Sequence, residues 1–186
     1  MTDPDRIDHL FTVLHDSIST MQDKLEFYYK FLDSPSPRHR GIPFMAVSEG
    51  FGSSPYDPYG KFKNAYKELV DALGLGHLWE QARGRDGWAG QLGKAKRILY
   101  PDRVTFVPTP EQPKPPKVSH DPERARKAAP HLSNAVDAMI RDVQELEMTY
   151  SSDKSTFLPG SDDQEDEIEQ LSESISLKKR LRLWKF

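Results

Sequence analysis

Cysteine is absent from this 186-residue sequence. Without thiols there is no disulfide framework, no thiolate nucleophile and no cysteine-bound metal. Long apolar runs are missing as well, since none approaches the roughly 20 residues that a helix needs to cross a bilayer. The N-terminus, Met1-Thr2-Asp3-Pro4-Asp5, is acidic and polar, unlike the basic and then apolar start of a secretion signal. The expected location is therefore intracellular, in the cytoplasm or the nucleus, with no membrane span.

Apolar residues are scarce at 36%, while 30% are charged and 15 are proline. That balance predicts a helical core joined to loosely packed segments rather than a compact enzyme. Catalytic arrangements are missing too. No serine sits in a nucleophile elbow, no carboxylate pair stands apart from the general charge, and no histidine has an acid–base spacing. His9 and His15 are six apart, which misses the four-residue spacing of a helical metal pair, and His120 and His131 have no companion ligand nearby. The run Gly87-Trp88-Ala89-Gly90-Gln91-Leu92-Gly93-Lys94-Ala95 imitates a phosphate loop, but its first glycine is one residue too far from Gly93-Lys94. Ala95 also stands where the magnesium-binding hydroxyl belongs. The chain is expected to be non-enzymatic, with no cofactor and no metal.

Two seams of apolar residues are what the sequence does contain. Ile7, Phe11, Leu14, Ile18, Met21, Leu25, Tyr28 and Leu32 alternate at spacings of four and three, the period of a helix packed along one side. Pro35 and Pro37 stop it. Leu10, Tyr29 and Phe31 widen the stripe beyond two positions, which favours a bundle with several neighbours over a free coiled coil. Leu132, Val136, Met139, Val143, Leu146 and Tyr150 repeat the pattern. Asp121-Pro122-Glu123 opens this second helix in the order cap, proline, acid, and Pro130 is expected to kink or restart it.

Between the seams, residues 33–60 read as a long loop, dense in turn formers, with the patch Ile42–Val47 as a short strand or plug. Arg38-His39-Arg40 beside it could hold a phosphate or could be a solvated turn. From Tyr59 a helix is expected to carry Phe62, Tyr66, Leu69, Val70 and Leu73 up to a cap at Gly74. A short helix bearing Leu78 and Trp79 follows, then one from Trp88 to Tyr100, capped by Asp86 and stopped by Pro101. Val104–Val107 reads as extended. Pro108, Pro110, Pro113, Pro115 and Pro116 then form a linker, with Lys114 and Lys117 beside it.

The fold class is accordingly all-α: a helical bundle with a long heptad-patterned N-terminal helix, long loops, a proline-rich linker and a C-terminal amphipathic helix. The expected organisation is a core over 1–107, a linker over 108–120, a seamed helix over 121–150, and an acidic-to-basic tail over 151–186. Net charge is uneven, at −4 over 1–34, 0 over 35–60, +6 over 61–127 and −5 over 128–186.

Three binding surfaces follow. The leading reading is a scaffold for protein–protein interaction, self-associating or bound to a partner through Ile7, Phe11, Leu14, Ile18, Met21, Leu25, Tyr28, Leu32, Val136, Met139, Val143 and Leu146. The alternative is an RNA or single-stranded DNA module in 79–106. There Arg83, Arg85, Lys94, Lys96, Arg97 and Arg103 would neutralise phosphates, and Trp88 with its aromatic neighbours would stack bases. Third, Lys178, Lys179, Arg180, Arg182 and Trp184 give the C-terminus a basic, apolar character suited to an acidic groove, with a membrane surface as a weaker option.

Overall fold

The computed structural model describes residues 4–104 and 106–157. Its helices are α1 (Pro4–Leu32), α2 (Ile42–Gly50), α3 (Pro58–Ala72), α4 (Gly76–Arg83), α5 (Trp88–Leu99), α6 (Pro101–Val104) and α7 (Pro122–Phe157), with a 3-10 turn at Pro37–His39. No strand occurs among the described residues, so the fold is all-α. The chain divides into two compact units, Met1–Leu146 and Glu147–Phe186. In the second, the described residues continue as helix to Phe157, and Met148 is exposed. The C-terminal amphipathic helix expected after residue 157 lies outside the described residues, as do Lys178, Lys179, Arg180, Arg182 and Trp184.

The first unit is organised on α1. Its seam residues Ile7, Phe11, Leu14, Ile18, Met21 and Tyr28 are buried, together with Leu10, while Leu25 and Leu32 are half-buried. This wide face packs on α2 and α3. The C-terminal end of α1 also grips the start of α7. The Tyr28 hydroxyl donates to the Ala125 carbonyl, the Tyr29 hydroxyl donates to the Ala129 carbonyl at 3.1 Å, and the Tyr29 and Ser133 hydroxyls share a 2.7 Å bond. Arg126 adds a 2.9 Å pair with Asp33. In α7, Leu132, Val136, Met139, Val143 and Leu146 are buried, with Ala125, Ala128, Ala129, Ala135 and Ala138. Both apolar seams are thus interior to a single chain.

Helix termini follow local chemistry. Gly74 has φ 71°, and bonds from its N–H to Asp71 (3.2 Å) and from Leu75 to Val70 (2.8 Å) close α3 in the pattern a left-handed glycine allows. Asp121 caps α7 by accepting from the Glu123 N–H at 2.9 Å. Pro130, however, neither ends nor restarts α7. Its missing N–H leaves the Arg126 carbonyl without the usual partner, yet burial on both sides of it and the two tyrosine hydroxyls on neighbouring carbonyls hold the helix through that point.

Other expectations change. Residues 33–60 are not a long loop: Ile42–Gly50 is helix α2, because Phe44, Ala46 and Val47 recur at helical spacing and bury on α1. Asp86 does not cap α5. Gly87 takes that place, and Asp86 instead faces Lys94 at 3.6 Å. Pro101 ends α5 only to open α6, since proline's fixed φ suits a first helical position. Val104, expected in an extended piece, closes that turn of helix.

At the centre of α3, α4 and α5 stands Trp88, fully buried, with Tyr59, Phe62, Tyr66 and Trp79 rings at 5.2–6.0 Å. The glycines that imitate a phosphate loop make this possible. A Cβ on Gly87 would meet the Ala82 carbonyl at 2.3 Å, and one on Gly90 the Gly84 carbonyl at 2.1 Å. Trp88 Nε1 is buried without a hydrogen-bond partner at standard distance and angle. Asp142 lies close enough for that N–H to favour its carboxylate form, but burial dominates and raises the Asp142 pKa above 3.8.

Two stability outcomes follow. Leu14→Ala opens a cavity at a wholly buried position and should cost about 2–5 kcal/mol in urea denaturation, whereas half-buried Leu25→Ala should cost clearly less. For Asp142, the raised folded pKa means that its contribution to stability is fully present below pH 3.8 and is lost as pH rises through the folded value. Asp142→Asn should therefore raise the urea midpoint at pH 7, and the gain should vanish as pH falls below 3.8.

Candidate functional site

A groove of about 920 Å³ lies beside α2. Its floor comes from the alternation that made α2 a helix rather than a loop. Phe44, Val47 and Phe51 turn inward and are buried, while Met45 stands on the rim with 49% of its surface exposed. Lys96 from α5, Tyr100 at its C-terminal cap and Arg103 from α6 form a second wall. Lys117, Val118 and His120, at the end of the proline-rich stretch, form a third, and Arg38 contributes from the 3-10 turn.

Phe44 ties these walls together. Its carbonyl accepts from the Tyr100 hydroxyl at 3.0 Å, and its ring meets those of Tyr100 and His120 at 6.0 and 5.1 Å. Burial pushes the Tyr100 phenol up to about 12. Gly41 brings the backbone close beneath His120, where a Cβ would meet the imidazole at 3.0 Å. The end of the proline-rich stretch is therefore a wall of the groove and not only a spacer.

Charge in the groove has one sign. Arg38, Lys96, Arg103 and Lys117 line it, and no Asp or Glu does. Among the described residues these four cations have no carboxylate within 4.0 Å. Elsewhere such pairs form readily, as in Arg6–Glu68, Lys24–Glu49, Lys67–Asp71 and Arg126–Asp33. Lys96 is the most constrained of the four. Its ammonium donates to Ser53 Oγ at 3.3 Å and lies 5.2 Å over the Tyr59 ring. Burial lowers its pKa, Lys63 lowers it further, and Asp57 only partly opposes them.

The residues singled out for nucleic acid are thereby separated. Trp88 cannot stack on a base because no part of it reaches solvent. Lys96 and Arg103 join the groove. Arg83 lies 5.9 Å over the Trp79 ring and 3.9 Å from Glu80, Lys94 faces Asp86, Arg97 donates to the Gly93 carbonyl at 3.3 Å, and Arg85 is exposed. Arg38 and Tyr100 are visible in the sequence as a possible phosphate holder and as an aromatic of the basic run, whereas Phe44, Met45, Val47, Phe51 and His120 line the groove without a binding role in the sequence reading. The signal for them was the apolar patch Ile42–Val47 lying directly after Arg38-His39-Arg40. Among the described residues no three His, Asp or Glu side chains gather as a metal site, and no helix is long and apolar enough to cross a membrane.

Set against protein-family models, curated proteins and solved structures, the chain matches none of them, so its function has to be argued from the groove itself.

Proposed function

We propose that this chain is a non-enzymatic helical binding protein, a scaffold or adaptor that holds an anionic, apolar-faced partner in the groove beside α2. The observation that carries this reading is the set of four cations without carboxylate partners above a floor of Phe44, Val47 and Phe51. The apolar surface that Met45, Ile42 and Tyr100 leave accessible above that floor supplies the attraction, and unpaired cations select the sign of charge. The interior position of both seams favours the groove over α1 as the place where a partner sits. It also weighs against association through the seam residues. The nucleic-acid reading keeps exposed Arg83, Arg85 and Arg97 but loses the stacking plane of Trp88.

Lys96 adds a physical reason. A half-buried ammonium whose charge is disfavoured by burial weakens the folded state, and that penalty is relieved when an anion is brought to it.

The probe for this reading is 8-anilinonaphthalene-1-sulfonate, a fluorescent anion with an apolar body. It should bind the folded full-length protein, and Arg38→Glu with Arg103→Glu should weaken binding by at least about tenfold, or roughly 1.4 kcal/mol. Arg83→Glu with Arg85→Glu should leave it unchanged. Equal losses from the two pairs, or no binding by a protein whose circular dichroism is native, would contradict the groove reading.

A second outcome concerns Lys96→Met. Since the folded pKa of Lys96 is lowered, its destabilising effect is full below that pKa and disappears as pH rises through the unfolded value of 10.5. Lys96→Met should therefore melt higher than the parent at pH 7, with the difference shrinking towards pH 10.5, while binding the probe more weakly.

A further inference from the structure

We infer that the occupant of the groove is an acidic amphipathic helix from a partner protein. This rests on the function proposed above and names the partner's chemistry. The groove is a trough open to solvent rather than an enclosed cavity. A small amphiphile can bind such a groove, but it leaves one side in water and forgoes the affinity that comes from being surrounded. A helix brings its own backbone and outer face to close the open side, and it leaves no backbone polar group unpaired against the apolar floor.

The rim points the same way. Met45, with 49% of its surface exposed, is the exposed large apolar side chain of α2, on a helix whose other exposed residues are Ser48 and Glu49. An unbranched thioether at the edge of an apolar floor adapts its shape to apolar side chains arriving at helical spacing. Arg38, Arg103 and Lys117 are exposed and Lys96 is half-buried, whereas Phe44, Val47 and Phe51 are buried, so the charge of the groove lies on its accessible side with apolar side chains beneath. The complementary ligand has apolar residues at positions i, i+3, i+4 and i+7 on one face, with Asp and Glu beside that face. Nucleic acid would use the cations and leave the floor uncovered.

Fluorescence anisotropy with the full-length protein tests this. The probe is a labelled peptide of about 15 residues, long enough to become helical on binding, with Leu at i, i+3, i+4 and i+7 and Glu flanking them. Controls are a peptide of the same composition with the leucines scattered, and one with Lys in place of Glu. The patterned acidic peptide should bind, the scattered one should bind at least about tenfold more weakly, and the basic one should not bind. Met45→Asp should abolish patterned binding while leaving circular dichroism unchanged, because Met45 is on the rim. Equal binding of patterned and scattered acidic peptides overturns the inference, as does binding of phosphatidylserine vesicles or single-stranded RNA in preference to the peptide. If the anilinonaphthalene sulfonate binds as expected and the patterned peptide does not, the helix is refuted while the anionic groove stands. If neither binds, both fall.

Discussion

Burial of the broad apolar face of α1 inside its own chain is the constraint from which the rest of the structure follows. A narrow stripe could be covered by one partner helix, but Leu10 flanks the seam and is buried with it, so neighbours are needed on two sides. α2 and α3 supply them, and α7 is fastened to the far end by the Tyr28 and Tyr29 hydroxyls. Once α2 is held there, its other edge has to face something else. That edge, with α5, α6 and the end of the proline-rich stretch, becomes the groove.

Polar and charged groups are arranged by the same logic. Some surface cations of the described residues, such as Arg6, Lys24, Lys67 and Arg126, find carboxylates, and such exposed pairs contribute little individually. In the groove they stand alone over apolar side chains, and Lys96 is pressed into partial burial by Tyr59 and Ser53. Burial and charge pull against each other at that residue. Trp88 shows the opposite arrangement, a polar N–H enclosed among aromatic rings where solvent cannot reach it.

Helical periodicity makes the two long seams legible in the sequence, because eight positions at alternating intervals leave few other conformations. Gly74 and the Asp121-Pro122 start were legible for equally local reasons. α2 was hidden because Pro43, Gly41 and Gly50 bracket it, and a helix of nine residues carries too few periods to outweigh those breakers. The aromatic residues near the basic run were visible, but which of them faced water was not. Spacing along α5 does not reveal that α3 and α4 enclose Trp88. The groove itself was beyond reach, since it joins Arg38, Lys96 and Lys117 from three separate stretches, and each alone resembles an ordinary solvated cation.

The placing of Phe44 has a mechanical side. Its ring and carbonyl are the junction between Tyr100 on one wall and His120 on another, so two walls of the groove meet at a single residue. An occupant that spreads those walls must push on Phe44, and Phe44 is built into a helix that rests on α1. Such a push would thereby be carried to the buried face of α1. A loose loop would absorb such a push, whereas close-packed side chains transmit it, so filling the groove would be felt along α1 as strain.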